Sequence, residues 1–158
     1  MEITRHFTAT TFIVYQNKVL LHLHKKLGIW IPVGGHIDRD ELPEETAIRE
    51  IKEETGLDVE LFWHDKAKRI SNKAGEQAVK ILNRPVHILL EDINLYHQHI
   101  DFIYYAKAYS NKLNPEEGET KNLKWLTIED IQNMDIQNNE KVLAKEALYL
   151  LNDSKLTY

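Results

Sequence analysis

A chain of 158 residues, 42% hydrophobic and 28% charged, is sized for one globular domain spanning 1–158, and the absence of cysteine excludes a disulfide framework or a thiolate metal site. A net charge of −5 argues against broad electrostatic binding to nucleic acid, so an acidic substrate has to be met through a metal or a local basic patch. No apolar run reaches the roughly 18 residues of a membrane span, and Met1 to Tyr15 lacks the basic start and apolar centre of a signal peptide, so a cytoplasmic protein without membrane contact is expected.

Phe7 to Tyr15 is rich in Thr, Phe, Ile and Val, and Val19 to His24 repeats that composition after Gln16-Asn17-Lys18, which predicts a β-hairpin closed by a tight turn. In the second strand Leu21 and Leu23 alternate with His22 and His24, the pattern of one buried and one wet face. The histidines therefore read as surface or pocket lining in preference to ligands. Leu27 to Gly35 then carries a short extended piece to Gly34-Gly35, where missing side chains allow close backbone approach or a positive φ.

Acid is concentrated in the next stretch. From Asp38 to Glu60 there are ten acids against three bases, a net of −7, and everything outside that stretch nets +2. On a helix from Pro43 to Thr55, at about 100° per residue, Glu50, Glu53 and Glu54 share an arc of roughly 100°. Ala47, Ile48 and Ile51 form an adjacent apolar arc that faces a core, and Glu45 and Lys52 are left for solvent. Pro43 suits a first helical turn and Gly56 the left-handed residue that ends one. Like charges at such spacings disfavour a helix by roughly 0.2–0.5 kcal/mol per pair. A solvated face with Arg49 as counter-charge is one account of them, and a cation site is the other.

The spacing decides between these. Gly35, Glu41, Arg49, Glu50, Glu53, Glu54 and Gly56 would recur at these intervals only on the order of a few times in 10⁹ starting positions, given average residue usage. With Ile51 and Leu57 apolar, Gly35 to Leu57 resembles the complete Nudix box, Gly-x5-Glu-x7-Arg-Glu-U-x-Glu-Glu-x-Gly-U, U being apolar. The loop ahead of it departs from the family's usual Trp-x-x-Pro-Gly-Gly, because Pro32 stands one place early and Val33 occupies the proline position.

The resemblance implies an α/β (α+β) fold, the Nudix α/β/α sandwich with a central mixed β-sheet. It implies Mg²⁺-dependent hydrolysis, with Mn²⁺ as the alternative cation, of a phosphoanhydride in a nucleoside diphosphate linked to another moiety, to NMP and phospho-X. Glu53 and Glu54 match the main metal-binding glutamates, and Glu50 matches one that binds metal or handles the attacking water. Arg49 and Glu41 match supporting positions in the catalytic site. The Gly35 carbonyl is a candidate ligand, with a purely conformational role as its alternative, and one later acid, Glu119, Glu116 or Glu117, is a candidate to complete the set, with a merely acidic turn as its alternative. All these donors are oxygens, which favour Mg²⁺ or Mn²⁺ over zinc or copper. His36 reads either as facing a substrate phosphate or as a strand residue with a satisfied hydrogen bond. Other readings of the same pocket are a nucleotide sensor without turnover and a pyrophosphatase that sanitises damaged nucleoside triphosphates.

Leu57 to Trp63 reads as the next strand. Lys66 to Arg84, with six bases and one acid, reads as a loop, either solvated or holding a non-reacting phosphate. Pro85 to Glu91 and Ile100 to Tyr109 are predicted strands. If the second begins as early as His97, then His97, His99 and Asp101 share a face, as a transition-metal triplet, a substrate-pocket wall or a hydrogen-bond cluster. Asn114 to Glu119 is an acidic, turn-rich loop and Leu123 to Leu126 a strand. Thr127 to Asp130 has capping-box spacing and opens a helix to about Met134. Glu140 to Leu151 places Val142, Leu143, Ala147, Leu150 and Leu151 at helical intervals. By the resemblance, the Lys66–Arg84 and Asn111–Lys121 regions select the substrate, a nucleotide-derived small molecule. A homodimer is compatible with the sequence but not derivable from it.

Overall fold

The computed structural model describes residues 2–62 and 81–152. Two twelve-residue strands, β1 (Thr4–Tyr15) and β7 (His97–Ala108), run parallel at the centre of an eight-stranded sheet, in register from Thr4 opposite His97 to Val14 opposite Lys107. At roughly 3.3 Å per residue each is about 40 Å long, more than a short strand can cover, so each outer edge is divided between two partners. Along β1, β2 (Lys18–Leu23) pairs with residues 13–15 and β4 (Val33–His36) with residues 8–11. Along β7, β5 (Val59–Leu61) pairs with residues 106–108 and β6 (His87–Asn94) with residues 97–103. Two further strands, β3 (Trp30–Ile31) and β8 (Leu123–Leu126), pair with β2. All of these added pairings are antiparallel, so the sheet is mixed.

The helices cover the two faces. α1 (Pro43–Thr55) packs on β1 and β4, while α3 (Asn138–Leu151), preceded by α2 (Ile128–Asn133), packs on β1, β2 and β7. Strand alternation sorts the core accordingly. Phe12, Val14, Val19, Leu21, Ile103 and Tyr105 meet Ala144 and Ala147 on the α3 side, and Ile13, Leu20, Val33 and Ala106 meet Ile51 on the α1 side. This is an α/β/α sandwich.

The β1–β2 turn closes as expected, with Tyr15 opposite Lys18 and Gln16 at φ 53°, so Lys18 already belongs to β2. The alternation expected in β2 does not hold, because β2 lies inside the sheet with a helix on each face. His22 is 6% exposed. Its Nε2 donates to the Pro32 carbonyl at 3.2 Å, and burial lowers its pKa. Ile48 departs in the other direction: expected to face the core, it is 43% exposed, while Ala47 and Ile51 are buried. Strand β7 begins at His97, because Leu95-Tyr96 turns β6 back onto it, with Asn94 Oδ1 accepting from Tyr96 N–H at 3.0 Å. The predicted basic loop falls largely on residues outside the described ones. Of its described end, Asn83 donates its N–H to the Glu44 carboxylate on α1.

Candidate functional site

The box helix is held at both ends by local chemistry. The Leu42 N–H donates to Glu45 Oε2 at 3.0 Å and Pro43 occupies the first turn, where its missing N–H is not needed. At the other end Gly56 takes φ 73° and donates its N–H to Lys52 O at 2.8 Å. Two last-turn carbonyls are satisfied from far along the chain, Thr55 O by Asn114 N–H at 2.8 Å and Glu53 O by Glu116 N–H at 2.9 Å. The loop carrying the later acids is thereby seated on the end of α1. The Lys25 ammonium donates to the Gly118 carbonyl and ties the same loop to the turn after β2.

Arg49 organises the acids. Its guanidinium grips Glu41 with two hydrogen bonds, Nε to Oε1 at 2.6 Å and Nη2 to Oε2 at 3.0 Å, and its Nη1 donates to Glu50 Oε1 at 2.8 Å and Glu53 Oε2 at 3.1 Å. Nη2 also reaches the His36 carbonyl at 3.3 Å. With Thr46 Oγ1 donating a further bond at 2.6 Å, the Arg49 contact holds the Glu41 carboxyl down at about 2. Glu54 is in the opposite condition. Burial first, then repulsion from Glu50, Glu119 and Glu53, raises it to about 8, against a single N–H bond from Gly34 at 3.2 Å. Burial also raises Glu50, in spite of Arg49.

Gly35 leaves room for the Glu50 carboxylate, which a Cβ there would run into, whereas a Cβ on Gly34 would meet Thr10 and the Ala9 carbonyl of β1. Of the three candidate loop acids, Glu119 acts on Glu50 and Glu54, Glu116 reaches α1 through its backbone N–H, and Glu117 is exposed. Glu50, Glu53, Glu54 and Glu119 are an excess of negative charge over the one guanidinium among them. All of the donors are oxygen, and Glu50 packs into the space that the missing Gly35 side chain leaves. That arrangement suits a hard divalent cation.

Beside the acids, on the α3 side of the sheet, lies a cleft of about 830 Å³ whose lining includes Thr8, Gly34, Glu54, Asp101 and Glu140. His36 and His99 border it. The expected His97, His99 and Asp101 triplet divides, although the three share a face. Asp101, 3% exposed, accepts from Thr8 Oγ1 at 2.8 Å. His97 and His99 instead gather with His6 and His36.

Glu140 and Glu91 at the cleft were not anticipated. The signal for Glu140 was present, because it stands one turn before Leu143 and Ala144 on the buried stripe of α3. Burial first, then Glu91 and Asp101, raises Glu140 to about 7. A carboxyl whose folded pKa is raised leaves the unfolded chain with fewer protons than the folded one between the two values, so it erodes stability as pH rises from about 4.5 to about 7. Glu140→Gln is therefore expected to be neutral below pH 4.5 and stabilising by up to ~3 kcal/mol above pH 7. Thermal midpoints of both proteins across that range check it, and parallel curves would refute the raised pKa.

Comparison with known proteins agrees with this geometry. The family model of the NUDIX domain matches residues 4–146. The chain is 28% identical over 118 residues to a Bacillus subtilis protein described as the uncharacterized Nudix hydrolase YvcI, a match covering 75% of this chain and 63% of that protein, so the chain spans less than two thirds of that relative's length. The crystal structure of a NUDIX family hydrolase from Clostridium perfringens superposes with a TM-score of 0.79 at 46% identity, covering 95% of this chain and 100% of that one. The NUDIX domain of Shewanella oneidensis NrtR, crystallised with ADP ribose, is similar in fold, with a TM-score of 0.65 at 19% identity over 94% of this chain and 90% of that one. With the box on its own helix inside the matched span, the chain belongs to the Nudix hydrolase family.

Proposed function

We propose that the protein hydrolyses a phosphoanhydride bond in a nucleoside diphosphate linked to another moiety, yielding NMP and phospho-X, with Mg²⁺ or Mn²⁺ as cofactor. The observation that carries this reading is the set of four glutamates, 50, 53, 54 and 119, in excess over one arginine at the edge of a cleft. Glu53, Glu54, Glu50 and Glu119, with the Gly35 carbonyl, would hold the cation. Bound there, a hard cation supplies neutralisation of the pyrophosphate charge and a lowered pKa for an attacking water.

The protein's own groups set the rest. Arg49 fixes the rotamers of Glu41, Glu50 and Glu53, so the carboxylates are positioned before substrate arrives. Burial first, then neighbouring carboxylates, disfavours the charged forms of Glu54 and Glu50, and a cation held between them would relieve that. Asp101 and Glu140 make the inner cleft acidic, which disfavours phosphate there and favours groups that donate hydrogen bonds, such as sugar hydroxyls and base amines. The phosphates accordingly lie toward Gly34-Gly35, with the nucleoside or X deeper, beside Asp101. Glu116 and Glu117, both exposed, do not line that cleft.

A panel of ADP-ribose, nucleotide sugars, dinucleoside polyphosphates and nucleoside triphosphates, assayed with and without Mg²⁺, tests the proposal. Metal-dependent release of NMP with phospho-X is expected. Pyrophosphate release from triphosphates alone would replace it with the sanitising reaction, and tight binding with no product over hours would make the protein a sensor. Among the described residues no helix is long and apolar enough to cross a membrane.

A further inference from the structure

Beyond the carboxylate site, a second donor set of different chemistry lies at one end of the sheet. Strand register alone assembles it. His6 on β1 stands opposite His99 on β7, Thr4 opposite His97, and Thr8 opposite His36 on β4. Residues directly opposite one another project to the same face, as do residues two apart, so four imidazoles from three neighbouring strands share one face.

Ring centroids are 4.6 Å apart for His6 and His97, 4.8 Å for His97 and His99, 4.9 Å for His36 and His99, and 5.5 Å for His6 and His36. One ring nitrogen from each lies within 4.8 Å of all the others. Tetrahedral coordination at about 2.0–2.1 Å per bond requires ligand nitrogens roughly 3.3 Å apart. His97 Nε2 and His6 Nδ1 are already 3.2 Å apart. The other nitrogen pairs lie within 4.8 Å, so coordination requires the rings to turn inward.

The cluster is poorly served as a hydrogen-bond network. His99 Nε2 is buried without a partner, and the His6–His97 contact is the hydrogen bond among the four rings. The surroundings also want a fastener. Thr4 to Phe7 of β1 are exposed, so this end of the strand has little apolar packing to hold it to β4 and β7. His6 and His36 are exposed and His97 and His99 half-buried, which leaves an ion a way in.

We propose that His6, His36, His97 and His99 bind one late first-row transition ion, with Zn²⁺ the reference case, at a site separate from the oxygen-lined one. Imidazole donors select Zn²⁺, Ni²⁺ or Cu²⁺ over Mg²⁺, the reverse of the glutamate set. The ion pins the ends of β1, β4 and β7 together. His36 directly follows Gly35, and its carbonyl accepts from Arg49, so filling the histidine site steadies the strand end against which Glu50 rests.

The test is a Zn²⁺ titration in excess Mg²⁺, which holds the carboxylate face, against a chromophoric chelator. One tightly bound equivalent is expected in the unaltered protein, and a loss of affinity on the order of 10²-fold or more in the His6→Ala/His99→Ala variant. Glu53→Gln should bind Zn²⁺ as the unaltered protein does. Co²⁺ in place of Zn²⁺ should give the intense visible band of a four-coordinate site, and Zn²⁺ should raise the thermal midpoint, both effects vanishing in the histidine variant. Should that variant not fold, His97→Gln with the same readouts replaces it. Equal Zn²⁺ affinity with and without the histidines, loss of binding in Glu53→Gln instead, or no retained Zn²⁺ at micromolar concentration would each overturn the proposal.

Discussion

Glu53→Gln is expected to lower Mg²⁺-dependent hydrolysis by at least about 10²-fold while leaving the thermal midpoint nearly unchanged. The substitution keeps shape and removes one charge. Glu53 is the member of the acidic face for which the two effects separate most cleanly. Its side chain is 37% exposed and its ion pair with Arg49 spans 3.1 Å, so its share of folding stability is that of a solvent-screened pair, about 0–1 kcal/mol. Glu54 would be a poorer probe, because it is mostly buried and holds the Gly34 N–H, so replacing it disturbs β4 as well. Initial rates on whichever substrate responds, with circular dichroism as the control, measure the loss. Undiminished turnover would remove Glu53 from the cation site and with it the proposed mechanism.

Gly56→Ala should destabilise the protein by at least about 2 kcal/mol, which for a chain of this length lowers the midpoint by roughly 4–8 °C. Two penalties combine. At φ 73° an alanine pays the left-handed cost, about 1 kcal/mol. Its Cβ would also collide with the backbone carbonyl of Asn114, and a backbone neighbour cannot swing aside as a side chain can. Asn114 is the residue whose N–H closes the end of α1, in the loop that carries Glu119, so activity should fall with stability. Gly28 serves as the control. It has φ 64° but open space where a Cβ would go, so Gly28→Ala should lose only about 1 kcal/mol. Equal midpoints for the two variants would mean that the Asn114 loop does not sit on α1.

Both predictions concern residues that the sequence singled out, and the reason is that their signals are local. The bounds of α1, Pro43 and Thr55, are marked by a proline suited to the first turn and a glycine suited to the last. The Thr127 capping box forms as its spacing implies, Thr127 Oγ1 accepting from Asp130 N–H at 3.2 Å. Where a reading needed a partner far along the chain, it went astray. The wet face expected of β2 is not open water: His22 lines the cleft, as a pocket position, but is 6% exposed. Ile48 was read as core, but α1 turns its Ala47 and Ile51 side to the sheet.

What the residue order by itself determined is the helix, its caps and the single flank that carries Glu50, Glu53 and Glu54, since about 100° of rotation per residue needs no tertiary information. The folded chain alone decided that Glu119, among three loop acids, is the one whose charge repels Glu50 and Glu54, that Asp101 bonds Thr8 across 93 positions of sequence, and that His6 joins three distant histidines. Those choices follow from strand register and loop seating. Strand register is set by which apolar faces the helices cover, and a one-residue slip of a strand would send its Asp101 or histidine side chains to the opposite face.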